Sequence, residues 1–179
     1  MSSLTLTSDR VRELLDYNSE TGIFTWKERD IGASACPRTS KSWNTRYAGT
    51  TAGARGANGY LYINFDGRKH LAHRVAWLVT YGRLPTLELD HMDGDRANNR
   101  IANLRDVSAS ENNENRRRAQ TTNKTTGLIG ASRHSNGKGY VAQIIVKGVH
   151  KYLGYFQTAQ EAHEAYVAAK RRFHRGCTI

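Results

Sequence analysis

Leu87-Glu-Leu-Asp-His91 alternates apolar and polar residues and ends on a carboxylate beside an imidazole, and Ser108-Ala-Ser-Glu-Asn112 follows later in the chain with an amide at its end. Asp90 and Asn112 are one carboxylate and one amide oxygen, a sparse set of hard donors suited to Mg²⁺ (or Mn²⁺) that keeps waters and takes a phosphate oxygen. His91, with an ordinary pKa of about 6.5, can accept the proton of an attacking water. Together the three residues suit metal-assisted hydrolysis of a phosphodiester, with the metal relieving charge on the departing 3′ oxygen. Arg105 is a candidate phosphate clamp. Asn113 and Asn115 are close rivals to Asn112.

The elements that must position these residues read as strand, turn, strand, helix. Leu87 and Leu89 alternate into the Asp-His pair, Asp93-Gly94 turns the chain, and Leu104-Arg-Asp-Val107 is short and extended. Ser108 and Glu111 match a capping box, which starts a helix carrying Asn112 in its first turn. Upstream, Tyr60–Phe65 and Lys69–Ala72 read as a hairpin across Asp66-Gly67, and His73–Tyr81 as a helix with Val75, Leu78 and Val79 on one stripe, stopped by Gly82. Residues 8–17 predict a short helix capped by Thr7, and Ile23–Trp26 a strand. From Glu28 to Gly59 few apolar residues occur, which predicts a long loop or insert.

This segment resembles the HNH nuclease motif of phage and intron-associated homing endonucleases, over about residues 71–115. The resemblance rests on Asp90-His91, Asn103-Leu-Arg105 and the helical Asn112. It implies a ββα-metal core in which Asp90 and Asn112 bind the metal, His91 activates water, and Asn103 holds the motif's loops together by hydrogen bonds. Asn98 and Asn99 read as ordinary turn formers. His73-Arg74 resembles a pair these proteins often carry, although a packed helical His accounts for His73 as well. Tyr17 and Thr21-Gly-Ile-Phe-Thr-Trp26 are similar to the opening of many phage-encoded HNH proteins.

Charge separates the chain into two parts. Residues 116–179 hold 12 Lys/Arg against 2 Asp/Glu, whereas residues 1–115 hold 15 against 14. A basic third attached to a nearly neutral remainder implies a polyanion-binding module, because Lys and Arg gain affinity by releasing phosphate counterions. Arg116, Arg117, Arg118 and Lys124 lie in an apparent extended linker. After it, the runs 127–133, 139–146 and 151–156 predict a three-stranded antiparallel sheet. Thr158 and Glu161 cap a helix whose Ala159, Ala162, Tyr166, Ala169 and Phe173 recur at helical spacing. The open sheet face is expected to display Arg133, Lys138, Tyr140, Gln143, Lys151 and Tyr152 to the major groove.

Gly137-Lys138, Tyr152-Leu-Gly-Tyr-Phe156 and the Thr-Ala-Gln-Glu-Ala helix start resemble the plant ethylene-response-factor (Apetala-type) DNA-binding domain, over about residues 127–176. Tyr140, Gln143, Ile145 and Tyr152 depart from that family's pattern, so base preference does not carry over.

The expected fold is therefore α+β: a ββα-metal HNH nuclease core followed by a small three-stranded antiparallel sheet packed on one helix. The expected divisions are residues 1–59, an N-terminal helix, strand and insert; 60–115, the nuclease core; 116–126, a basic linker; and 127–179, the DNA-binding domain. Cys36 and Cys177 stand far apart outside any C-x-x-C pairing, which excludes a disulfide framework and a four-cysteine zinc site, so no structural zinc is expected. The expected partner is double-stranded DNA, the expected state a monomer with a dimer as the alternative, and the expected place the cytoplasm, without membrane attachment. A non-catalytic DNA-binding regulator is the rival from another class, and an RNA-binding protein is a third reading, since exposed tyrosines also stack unpaired bases.

Overall fold

A computed structural model describes residues 6–32, 34, 36–117, 119, 123–174 and 177–178. Arg118, one of the expected phosphate contacts, lies outside the described residues. The chain divides into two compact units, Met1–Asp106 and Val107–Ile179, and both mix helices with small sheets.

In the first unit, α1 (Ser8–Leu14) starts at Thr7, whose hydroxyl accepts the Arg10 N–H at 3.2 Å, and it buries Val11 completely. The chain then passes directly into β1 (Leu15–Asn18), a strand not expected from the sequence, which pairs antiparallel with β2 (Ile23–Trp26). Tyr17 stacks on Phe24 at 4.6 Å between centroids. The β1–β2 turn runs against the backbone of residues 99–100: a Cβ on Gly22 would sit 2.5 Å from the Arg100 nitrogen, and the φ of +74° there also favours glycine. Tyr17 donates its hydroxyl to the Asn99 carbonyl at 2.7 Å, and the Ile101 N–H donates to Ser19 O at 3.2 Å.

The region expected as a loop from Glu28 to Gly59 contains an 11-residue helix, α2 (Pro37–Tyr47), and the two-residue strand β3 (Ala54–Arg55). Pro37 stands in the first turn, where its missing N–H has no intrahelical partner to lose. Apolar periodicity does not reveal α2 because hydrogen bonds and rings anchor it. Asn44 accepts the Arg29 N–H and donates to the Arg29 carbonyl, both at 2.9 Å, and Trp43 meets Trp26 edge-on at 5.5 Å.

β3 pairs with β4 (Leu61–Phe65), which forms a hairpin with β5 (Arg68–Leu71) across Asp66-Gly67. Arg10 grips the Asp66 carboxylate with Nε at 2.9 Å and Nη2 at 2.8 Å, tying α1 to that turn. α3 (Ala72–Tyr81) buries Val75, Ala76, Trp77 and Leu78 and ends at Gly82. β6 (Glu88–His91) pairs with β7 (Leu104–Val107), and a 3₁₀ turn, Ile101–Asn103, lies between them in the chain. One apolar cluster joins Val11, Leu15, Phe24, Ile63, Val75 and Leu104, so the N-terminal elements share a core with the motif strands.

The second unit begins at the end of β7 and contains α4 (Ala109–Glu114), whose capping box pairs the Ser108 hydroxyl with the Glu111 N–H and the Glu111 carboxylate with the Ser108 N–H. β8 (Ala131–Arg133), β9 (Tyr140–Val146) and β10 (Val149–Phe156) form an antiparallel sheet in the order β10-β9-β8. α5 (Ala159–Phe173) starts at a second capping box, Thr158 and Glu161, and packs on the sheet. Ala131, Ala142 and Ala162 form the buried centre. The approach is close enough that a Cβ on Gly130 would lie inside the Tyr166 ring.

Described residues at the two ends of the basic segment are bonded within the second unit. Thr178 donates to the Asn115 side-chain oxygen, Arg117 donates to the Thr178 carbonyl at 3.0 Å, and buried Lys170 donates to the Arg116 carbonyl. Asn123 gathers Thr126, Leu128 and Ala131 by side-chain bonds into an ordered turn.

Candidate active site

Asp90 and His91 end β6 and are both buried, at 7% and 4% exposure. Across the β6–β7 sheet, Arg105 donates to Asp90 Oδ2 through Nη2 at 2.6 Å and Nε at 2.9 Å. The candidate phosphate clamp thus engages the candidate metal ligand through charge-assisted hydrogen bonds. Asp106, also on β7, accepts the N–H groups of Thr86 and Leu87 at 2.9 and 2.8 Å and fixes the entry to β6.

His91 faces an aromatic cluster. Its ring centroid lies 5.1 Å from that of His73 on α3, edge to face, and 5.9 Å from that of Tyr60. Burial pushes the His91 imidazole below its ordinary pKa; a hydrogen bond with Asn99 and the charges of Asp93, Asp90 and Asp95 act in the opposite direction. The ring is therefore neutral at neutral pH, the state that can accept a proton. Burial, then the neighbouring His91 and Arg74, push His73 down to about 3. Its Nδ1 is buried with no hydrogen-bond partner among the described residues.

The loop between β6 and β7 is closed by Asn103. Its Oδ1 accepts the Asp93 N–H at 3.0 Å, and its Nδ2 donates to Asp93 Oδ1 at 3.0 Å and to the Asn98 carbonyl at 2.9 Å. Its own carbonyl accepts the Met92 N–H at 2.9 Å, and Asn98 donates to Asp93 Oδ2 at 2.6 Å. Burial pushes the Asp93 carboxyl up, but hydrogen bonds from Asn98, the Asp95 N–H and Asn103 leave it below the usual carboxylate range. Asp93 is thereby committed to the loop.

Asp90, His91, Asn103 and Arg105 thus meet in the first unit, while Asn112 is carried, half-buried, by α4 in the second. Of its rivals, Asn115 is buried and bonded to Thr178, and exposed Asn113 accepts from Arg116 at 3.0 Å.

Sequence reasoning missed Tyr60, which also carries the Arg96 guanidinium 4.8 Å from its ring centroid. It took Asn99 for a turn former, whereas Asn99 is 1% exposed and held against Tyr17 and His91. A doubled Asn before Arg100 carries no signal for burial; only the tertiary approach of β1 reveals it.

Strand register corrects the expected open face of the C-terminal sheet. Tyr140 packs into the helix-side core, and Lys151 stands opposite buried Ile144, with its Nζ 4.8 Å from the Phe173 ring centroid. Arg133 pairs opposite Tyr140, on that same side. Gln143 and Tyr152 pair on the other face, since side chains alternate with period two and these positions differ from Tyr140 and Lys151 by odd steps. The bulge between Tyr152 and Gly154 keeps Tyr155 on the Tyr152 face. Arg116, Arg117, Lys124, Arg133, Lys138, Gln143, Lys151 and Tyr152 are all exposed.

Among the described residues no three His, Cys, Asp or Glu side chains gather into a metal-holding group. The donors that accompany His91 are oxygens, the Asp90 carboxylate foremost, and this chemistry fits a hydrated hard cation. No helix among the described residues is long and apolar enough to cross a membrane.

Residues 70–114, about a quarter of the chain, match the family model described as HNH endonuclease. No curated protein and no solved structure matches the chain. The match spans α3, β6, β7 and α4, and therefore every residue described around Asp90 and His91 except Tyr60 and Tyr17. It points to nuclease activity on DNA in this segment.

Proposed function

We propose that the protein is a metal-dependent endodeoxyribonuclease of the HNH type, a free-standing homing-type enzyme of phage origin that nicks double-stranded DNA. The observation that carries this reading is the neutral, buried His91 beside an Asp90 carboxylate paired with Arg105, inside the segment that matches the nuclease family. Asp90 and Asn112 would hold Mg²⁺ or Mn²⁺, which supplies charge relief on the phosphate and on the leaving 3′ oxygen. His91 takes a proton from water as the water oxygen attacks phosphorus. The P–O3′ bond breaks, the departing 3′ oxygen takes a proton from solvent water, and the products are a 5′ phosphate and a 3′ hydroxyl. Asn103 keeps the loop after His91 in place, and Arg105 orients Asp90. A single constellation per chain favours nicking by a monomer.

The basic second unit would hold the duplex, with Gln143 and Tyr152 on the open sheet face and Arg133, Lys138 and Lys151 reaching phosphates from its margins. The order of three strands and a helix, with the motifs at Gly137 and Tyr152–Phe156, supports an ethylene-response-factor-like module.

The test is relaxation of supercoiled plasmid in Mg²⁺ or Mn²⁺, with chelator and His91→Ala as controls. We expect nicked circles from the wild type, and loss of 10²–10⁴-fold in rate from His91→Ala, the range for removal of a general base. Plasmids left intact by wild type across metals and sequences would overturn the nuclease reading. Comparison of Asn112→Ala with Asn113→Ala identifies the second metal donor.

A further inference from the structure

From residue 31 to residue 65 the chain contains no Asp or Glu and four cations, Arg38, Lys41, Arg46 and Arg55. Arg55 lies 3.7 Å from Asp95. The other three belong to α2, and among the described residues none of them pairs with a carboxylate. The near balance of charge in residues 1–115 therefore conceals a local separation of sign.

The helix fixes where these cations point. At 100° per residue, Ser40, Trp43, Asn44 and Tyr47 share one side, and the contacts of this side anchor α2: Ser40 donates to the Ser34 hydroxyl at 2.7 Å, Asn44 clasps the Arg29 backbone, and Trp43 lies between Trp26 and the Arg29 guanidinium, which sits 3.9 Å from its ring centroid. Arg38, Lys41, Ser42, Thr45 and Arg46 fall on the opposite side and are all exposed. Arg38 and Lys41 are like charges at i,i+3, unfavourable in an isolated helix. α2 also lacks acidic residues in its first turn, where they would favour the helix. A rigid helix that presents cations and hydroxyls without a compensating acid complements a polyanion. Arg38 to Arg46 spans about 12 Å along the axis, which matches three to four phosphates at about 3.4 Å of rise per nucleotide.

We propose that the outer face of α2 is a second DNA contact, which takes the phosphate backbone of duplex DNA independently of the C-terminal module. The proposal rests on DNA being the substrate, and it gives the catalytic unit its own grip on the duplex.

The test measures duplex binding by fluorescence anisotropy with the full-length protein in chelator, over a range of salt, for wild type and for Arg38→Gln/Lys41→Gln/Arg46→Gln. We expect affinity to fall at least tenfold at moderate salt, and the slope of log K against log salt to shrink by about 2.7, or about 0.9 per phosphate contact. A control triple variant, Arg68→Gln/Lys69→Gln/Arg83→Gln, should retain most of the wild-type affinity and slope. Arg38→Glu alone, with its thermal midpoint checked, should weaken binding without unfolding the unit. An unchanged slope in the α2 variant, or equal losses in the two triple variants, would each overturn the proposal. Binding in chelator needs no cleavage, so a protein that never nicks DNA yet shows the α2-dependent slope would remove the nuclease reading alone.

Discussion

The first unit closes on Phe24, Ile63, Phe65, Trp77 and Leu78, side chains large enough to interlock, whereas the buried centre of the second is Ala131, Ala142 and Ala162, with Ile144 the large aliphatic side chain buried there. Polar groups follow the same division. The first unit encloses Asp90, His91, Asn99 and Asn103, while the second buries Lys170 against a backbone carbonyl and Asn115 beside Thr178 and keeps most of its other cations at the surface. A constellation that must hold reacting groups to a fraction of an ångström needs neighbours that cannot shift. A module that displays charge needs only a thin scaffold, and alanines bring a helix close to a sheet with little apolar area.

The comparison can be broken by equal losses from unequal cores. Ile63→Ala should destabilise the first unit by about 2–5 kcal/mol, in the usual range for emptying a buried aliphatic site. Ala142→Gly should cost the second unit only about 1 kcal/mol, mostly as strand entropy. Urea unfolding followed separately through Trp77 fluorescence and through a label on the second unit measures both. Similar costs would mean that the alanine core carries more than its size implies.

A pH series sharpens the contrast. His73 is held neutral down to about 3 in the folded protein, while the unfolded side chain protonates near pH 6.5. The unfolded state therefore binds more protons between those values, and the stability of the first unit is full above pH 6.5 and falls as pH drops towards 3, by up to about 1.4 kcal/mol per pH unit. His73→Gln should flatten that decline in acid-unfolding curves, and a parallel decline in the variant would assign it to other groups. Of the three tyrosines in the C-terminal sheet, Tyr140 and Tyr152 report on opposite faces. Tyr140→Ala should cost about 1–2 kcal/mol through lost burial. Tyr152, at 67% exposure, should change stability by less than about 0.5 kcal/mol on truncation while weakening duplex binding several-fold. A Tyr140→Ala variant that keeps full stability yet weakens duplex binding as Tyr152→Ala does would restore the face expected from the sequence.

Much of the local structure was legible because its signals are local. Both capping boxes, the Asp66-Gly67 hairpin and the strand into Asp90-His91 each declare themselves within a few residues. α2 was not legible, since Asn44 and Trp43 hold it through groups that no periodicity marks. The face of the C-terminal sheet was misread because listing cationic and aromatic residues ignores parity: Lys151 and Tyr152 are neighbours and so must part. The aromatic enclosure of His91 was invisible for another reason, as Tyr60 and His73 come from separate elements upstream.

The meeting of the β1–β2 turn with residues 99–101 also sets a clock. Tyr17 and its acceptor at Asn99 are separated by 82 positions. At about 5–20 residues per second of synthesis, the N-terminal hairpin waits roughly 4–16 s for that partner to be made. During that interval Asn99 is not yet in place beside His91, and the nascent chain carries no assembled site near the nucleic acid from which it is being translated.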